Sequence, residues 1–248
     1  MIIPMNRLHD GMNGWDWFVN DSASDIVRGH WMDRLVPRPL RPYARLARID
    51  RPIGTWLLLI PCWWGVALAN AAAPGWRWPD PVFFALFAVG ALVMRAAGCA
   101  WNDILDRDID GRVARTALRP IPSGEISVRQ AFVFLAAALL CGLGVLLPFN
   151  GFTIAVAAAS LVLVAIYPMM KRVTYWPQIF LGLAFNWGAL VGWAAVTGSL
   201  AAPALLLYAA GIAWTLGYDT IYAHQDKEDD LLIGVKSSAL KLGRNTRP

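Results

Sequence analysis

Charge is what this chain has least of. Only 16% of its 248 residues are Asp, Glu, Lys or Arg, against roughly a quarter in an ordinary soluble domain. Meanwhile 57% are hydrophobic and the mean hydropathy is +0.46. That deficit excludes a water-solvated fold and points to a lipid bilayer as the surrounding medium. Cysteine is scarce too: Cys62, Cys99 and Cys141 lie inside apolar runs without metal-ligand spacing. They therefore offer neither a disulfide framework nor a zinc site. His224 stands alone beside an acidic segment and carries no catalytic signal by itself. The N-terminus lacks the basic stretch, apolar run and small-residue cleavage site of a secretory signal. A net charge of +5 does not mark a nucleic-acid surface, because the basic residues are scattered among loops between apolar segments, where they set orientation in a bilayer.

What the chain has in abundance is long apolar runs. A helix crossing the hydrocarbon core needs about 20 mainly apolar residues, and six segments approach or meet that length: 53–73, 82–101, 128–147, 152–168, 176–197 and 201–222. Runs this long do not alternate with period two, which excludes strands and a barrel. Thirteen Trp residues, many near the ends of these runs, suit the headgroup boundary. The expected fold is an all-α membrane protein, a polytopic transmembrane helical bundle. Arg38, Arg41, Arg45, Arg48 and Arg51 precede the first run; Arg107, Arg112, Arg115, Arg119 and Arg129 separate runs two and three; Lys171 and Arg172 separate four and five. The opposite loops hold only Arg77. With positive residues inside, the N-terminus, these loops and the tail after run six face the cytoplasm. Residues 1–40, polar and Pro-punctuated, read as a loosely ordered N-terminal extension on that side.

Two acidic segments lie on this same side, at 102–110 and 219–230. On a helix, Asp106 and Asp110 are neighbours at i and i+4, and Arg95 and Asn102 lie nearly on that face, so one polar stripe descends into the membrane. Asp219, Asp226 and Asp230 repeat the offsets of Arg95, Asn102 and Asp106. Mg²⁺ demands octahedral oxygen coordination and is usually held by one or two carboxylates together with substrate phosphates. Paired Asp residues facing each other across a cavity suit Mg²⁺ ions that bridge a diphosphate. A lone acidic run reads equally well as a solvated helix end. Two of them on one side, each continuing into an apolar span, favour a site, and ionisable residues at the depth of Arg95 and Asp219 are costly and usually functional.

Three stretches carry a family resemblance: residues 43–65 (YARLARIDRPIGTWLLLIPCWWG), 94–127 with NDILDRDIDGRVARTALRPIPSGEIS, and 217–243 (GYDTIYAHQDKEDDLLIGVKSSALKLG). Over residues 41–243 the chain resembles the UbiA family of intramembrane prenyltransferases, and the Asp-Thr-x-Tyr-Ala opening of the third stretch resembles the branch acting on 4-hydroxybenzoate. The resemblance implies transfer of a polyprenyl group from polyprenyl diphosphate to the ring of 4-hydroxybenzoate, ortho to its hydroxyl, in ubiquinone biosynthesis, with Mg²⁺ as cofactor. It also implies that Asn102, Asp103, Asp106 and Asp110 form a first metal-diphosphate motif and Asp226 and Asp230 a second. By the same resemblance Asp219 and Tyr222 are second-motif positions nearer the reacting centre. Arg115, Arg119, Lys171 and Arg172 are candidates for diphosphate oxygens or the benzoate carboxylate, since guanidinium groups bind both, although the positive-inside rule also places cations there. For Arg95 the alternatives are substrate binding and a structural ion pair with a motif Asp. The implied setting is a bacterial inner membrane with the site facing the cytoplasm; a mitochondrial inner membrane is the alternative.

The family pattern has about nine spans, whereas this sequence closes with GRNTRP soon after the second acidic segment. The expectation is a UbiA-like domain at 41–248 with six spans of nine, incomplete at its C-terminus and correspondingly less stable and less active. Other readings stay open. A different acceptor would make it a menaquinone, haem O or chlorophyll type of prenyltransferase. Acidic residues at a membrane mouth also suit a divalent-cation carrier, although runs three and five supply almost no charge for a polar path. Asp110-Gly111 to Arg115 with Gly124 copies the middle of the CDP-alcohol phosphotransferase signature, but Arg107, Val128 and Phe132 stand where that signature needs Asp.

Overall fold

In lipid every backbone N–H and C=O must be satisfied within its own segment, so apolar runs of this length become helices. The computed structural model describes residues 26, 31–75, 78–113, 115–225, 227 and 234–243. Among them regular structure is entirely helical. Two short helices, α1 (Trp31–Leu35) and α2 (Arg41–Leu46), lead into α3 (Ile53–Ala72), α4 (Pro81–Asp110), α5 (Val128–Leu146) and α6 (Gly151–Val173). Then come α7 (Pro177–Asn186), α8 (Gly188–Thr197) and α9 (Ala202–Tyr222). Counting α7 and α8 together, six are long and apolar enough to cross a membrane, which is the all-α membrane bundle expected from the sequence.

Local chemistry starts and stops these helices. Asp80 caps α4 by accepting from Val82 N, with Pro81 at the first position. Ser127 and Gln130 form a reciprocal capping box at α5, satisfying two otherwise orphaned donors. Asn150 caps α6, whose last turn carries Lys171 and Arg172, a favourable end for cations. Gly198 ends α8 in the left-handed region at φ +66°.

Small residues then set the packing. The backbones of α3 and α8 meet so closely that a Cβ on Gly65 would lie 2.3 Å from Ala189 O, and one on Gly192 would lie 2.1 Å from Cys62 O. Close approach through glycine is how membrane helices gain contact without a hydrophobic driving force. Elsewhere α4 packs on α5 and α7 on α9. Asn186 ties the latter pair, donating to Thr215 Oγ1 at 2.8 Å.

Three features differ from the sequence reading. First, α4 does not stop near residue 101 but runs on for 30 residues to Asp110. At about 45 Å it exceeds the roughly 30 Å hydrocarbon core, so the span is longer than expected while the first acidic segment is helical, as its stripe requires. Second, the fifth span is broken at Trp187, beside the glycine that packs against Cys62. Third, residues 31–40 are largely helical and docked rather than loose. Asp33 pairs with Arg45 at 2.8 Å, and Arg45 also reaches Glu125 at 3.2 Å. The rest of the expected extension, Ile26 apart, lies outside the described residues.

Candidate active site

Because α4 stays helical, Asp103, Asp106 and Asp110 fall on one inward face and are 0%, 1% and 5% exposed. Buried carboxylates need partners, and these come from three separate parts of the chain. Arg48, in the turn between α2 and α3, donates to Asp103 Oδ1 at 2.7 Å. Arg119, in the loop before α5, donates to Asp110 Oδ2 at 2.8 Å and reaches Asp103 Oδ1 at 3.4 Å. At the end of α6, Lys171 donates to Asp106 Oδ2 and Arg172 to its Oδ1 at 3.1 Å. Arg172 also caps Leu105 O at 3.0 Å. The same loop folds back through Thr116, whose hydroxyl donates to Asp110 O at 2.8 Å.

Beside this charged layer lies a polar cavity of about 250 Å³. Five residues anticipated from the sequence line it: Asn102, Asp110, Arg115, Lys171 and Asp219. A second, apolar cavity of about 450 Å³ runs between α3, α4, α5, α6 and α8. Arg95 lines it, with its guanidinium 5.7 Å from the Phe185 ring centroid. Gly54 makes room for that guanidinium, since a Cβ there would lie 2.4 Å from Arg95 Cζ. The buried Nε of Arg95 has no hydrogen-bond partner. Tyr167 on α6 lines both cavities.

This arrangement has known counterparts. Residues 58–248 match the UbiA prenyltransferase family. The chain belongs to that family. It is 58% identical over 213 residues to the human 4-hydroxybenzoate polyprenyltransferase, mitochondrial, covering 86% of this chain and 57% of that protein. The chain thus spans little more than half the length of that relative. Its fold resembles the apo structure of a UbiA homolog from Aeropyrum pernix K1, with TM-score 0.67 and 28% identity over 79% of this chain and 72% of that one. A UbiA homolog from Archaeoglobus fulgidus, solved bound to GPP and Mg2+, aligns with TM-score 0.64 at 22% identity, over 82% of this chain and 69% of that one. At that identity the likeness is one of fold.

Not every anticipated site residue reaches the polar cavity of this UbiA-family chain. Asp103 and Arg119 lie behind it, engaged with each other and with Arg48 and Asp110. Asp106 and Arg172 adjoin it through Lys171 rather than being among its described lining residues. Tyr222 is 54% exposed and not among those lining residues. Asp226 and Asp230 lie outside the described residues.

Other residues at the site escaped the sequence reading: Tyr167, Gln178, Lys236 and Ser237 line the polar cavity, and Arg48 joins the charged layer. Tyr167 precedes Lys171 by one helical turn, and Gln178 is a lone polar residue in an apolar run. Arg48, Lys236 and Ser237 lie within the stretches 43–65 and 217–243 that carry the family resemblance, without standing out there. Among the described residues no three His, Cys, Asp or Glu side chains are grouped to hold a metal ion. Even so, Asn102, Asp110 and Asp219 round one cavity are hard oxygen donors, and Mg²⁺ is commonly held by one or two carboxylates plus phosphate oxygens. The donor set fits that ion.

Proposed function

We propose that this UbiA-family chain carries the site for transfer of a prenyl group from a prenyl diphosphate to 4-hydroxybenzoate. One observation carries the reading: a polar cavity lined by Asn102, Asp110, Lys171 and Asp219 shares the wall residue Tyr167 with a larger apolar cavity. A substrate with a highly charged head and a long hydrocarbon tail has that division. The name of the human relative supports 4-hydroxybenzoate as acceptor.

The roles follow from position. Lys171, Arg115 and Lys236 line the polar cavity and supply charge for diphosphate oxygens. Asn102, Asp110 and Asp219 of the cavity wall, with Asp106 adjoining it beside Lys171 and Asp226 and Asp230 of the second segment, would hold Mg²⁺, which when bound neutralises charge on the leaving diphosphate. The apolar cavity takes the tail and keeps water from the allylic carbon as its bond to oxygen breaks. Arg95, with Nε unpartnered, anchors the acceptor's carboxylate and so orients the ring carbon ortho to the hydroxyl toward that carbon. The ring's π electrons form the new C–C bond as the C–O bond to diphosphate breaks, and the ring position then loses its proton to the released diphosphate. The Arg-rich ends support a mouth on the cytoplasmic side in a bacterial membrane, or on the matrix side in the mitochondrial setting named for the human relative.

The test supplies geranyl diphosphate and 4-hydroxybenzoate to the chain in lipid, with Mg²⁺ or with chelator, and resolves the product by chromatography. Prenylated 4-hydroxybenzoate is expected only with Mg²⁺, and Asp106→Asn should lower kcat/KM by about 100-fold or more, the scale of a lost charge-stabilising group. Undiminished turnover in that variant removes Asp106 from the site.

A further inference from the structure

Residues 234–243 form a strap against the polar cavity, and among the described residues the neighbours of Ser237 supply hydrogen bonds that hold it. Lys236 N donates to Lys171 O at 2.8 Å, and Lys236 Nζ donates to Val173 O at 3.0 Å. On the other side Ser238 N donates to Gln178 Oε1 at 3.2 Å, and the Ser238 and Thr220 hydroxyls are bonded at 2.6 Å. Ser237 sits between these anchors, 4% exposed. It precedes a helical turn at Ser238–Leu242 but makes no side-chain capping bond, the role serine usually takes there. Among the described residues its buried Oγ has no hydrogen-bond partner. Buried hydroxyls in native structures are almost always bonded, so an unbonded one calls for a ligand or water.

Ser237 lines the polar cavity together with Arg115, Lys171 and Lys236. We infer that Ser237 is a substrate-binding residue that donates its hydroxyl to a phosphate oxygen of the diphosphate group. The inference rests on the prenyl-diphosphate reading above. The hydroxyl turns on a single χ1 bond with three staggered positions, and the residue that carries it lines the cavity. The strap's tie to Lys171, whose ammonium holds Asp106, keeps that hydroxyl in register with the first acidic segment. The acceptor's carboxylate is the less suited partner, because Arg95 lines the other cavity, beyond Tyr167.

Calorimetric titration of the chain in nanodiscs, with Mg²⁺ present, uses geranyl diphosphate and, separately, inorganic diphosphate. Ser237→Ala should weaken both about tenfold, as expected for one hydrogen bond to a charged group, while Ser237→Thr stays within about threefold of the parent. The ligand-free melting temperature of Ser237→Ala should match the parent, since the hydroxyl bonds nothing in the fold. Equal binding by parent and Ser237→Ala overturns this inference alone, and so does a ligand-free melting temperature lowered by several degrees, which would give the hydroxyl a purely structural role. Failure of the parent to bind either compound overturns the prenyl-diphosphate reading, and this inference with it.

Discussion

Arg48 occupies a left-handed backbone conformation, φ +57°, that costs a residue with a Cβ about 1–2 kcal/mol. It sits there with its guanidinium buried against Asp103. Strain of this kind persists where the surroundings over-determine it, and here the turn from α2 into α3 delivers the charge that a fully buried carboxylate requires. Arg48→Ala keeps the strain and removes the charge, leaving Asp103 with Arg119 at 3.4 Å. A loss of about 3–5 kcal/mol is expected, read by chemical unfolding in detergent. Arg48→Gly should recover about 1 kcal/mol of that loss, because glycine adopts positive φ freely. Unchanged stability in Arg48→Ala would show the pair to be incidental. The first segment's carboxylates were legible in the sequence from their spacing. Of their cations, Arg119, Lys171 and Arg172 were candidates by position, though for substrate; Arg48 was not, because it and Asp103 are 55 positions apart and it reads simply as one more arginine before a span.

At the level of elements, the α3–α8 contact is the tightest seam in the bundle, and it walls part of the apolar cavity through Leu58, Cys62, Gly188 and Val191. Leucine at position 192 would drive its Cβ into the α3 backbone, 2.1 Å from Cys62 O, and backbone cannot yield as a side chain does. Gly192→Leu should cost about 3 kcal/mol or more and separate the two helices. Gly144→Leu on α5, where nothing lies within 4 Å, should leave stability nearly unchanged or slightly raised. The pair of unfolding curves checks both; equal curves would mean the seam is not close-packed. Helix existence was readable from hydropathy, since it is a local property. The acidic stripe of α4 was readable from helical periodicity as well; the partners of its buried carboxylates, on α6 and in two loops, were not.

For the whole molecule, the charged layer gathers at one end of the bundle, formed by the turn after α2, the end of α4, the loop before α5 and the end of α6. Positive-inside bias predicts that this end meets the cytoplasmic-equivalent face. Ser123 and Ser199 are both exposed, the first in the loop between α4 and α5 and the second between α8 and α9. In a background without Cys62, Cys99 and Cys141, a membrane-impermeant maleimide should label Ser123→Cys only from the cytoplasmic-equivalent side and Ser199→Cys only from the other. Labelling of both from one side would overturn the topology.

Sequence alone determined the six membrane spans, the gathering of charge on one side and the acidic stripe of α4. Hydropathy and helical periodicity are local, and lipid enforces both by leaving the backbone no other partner. Tertiary structure alone decided which cation meets which carboxylate, that Gly54 and Phe185 hold Arg95 against the apolar cavity, that Tyr167 stands between the two compartments, and that the strap returns Ser237 to the polar one. Each of those depends on distances between segments far apart in the chain, set by how closely the helices pack, and spacing along one helix carries no record of them.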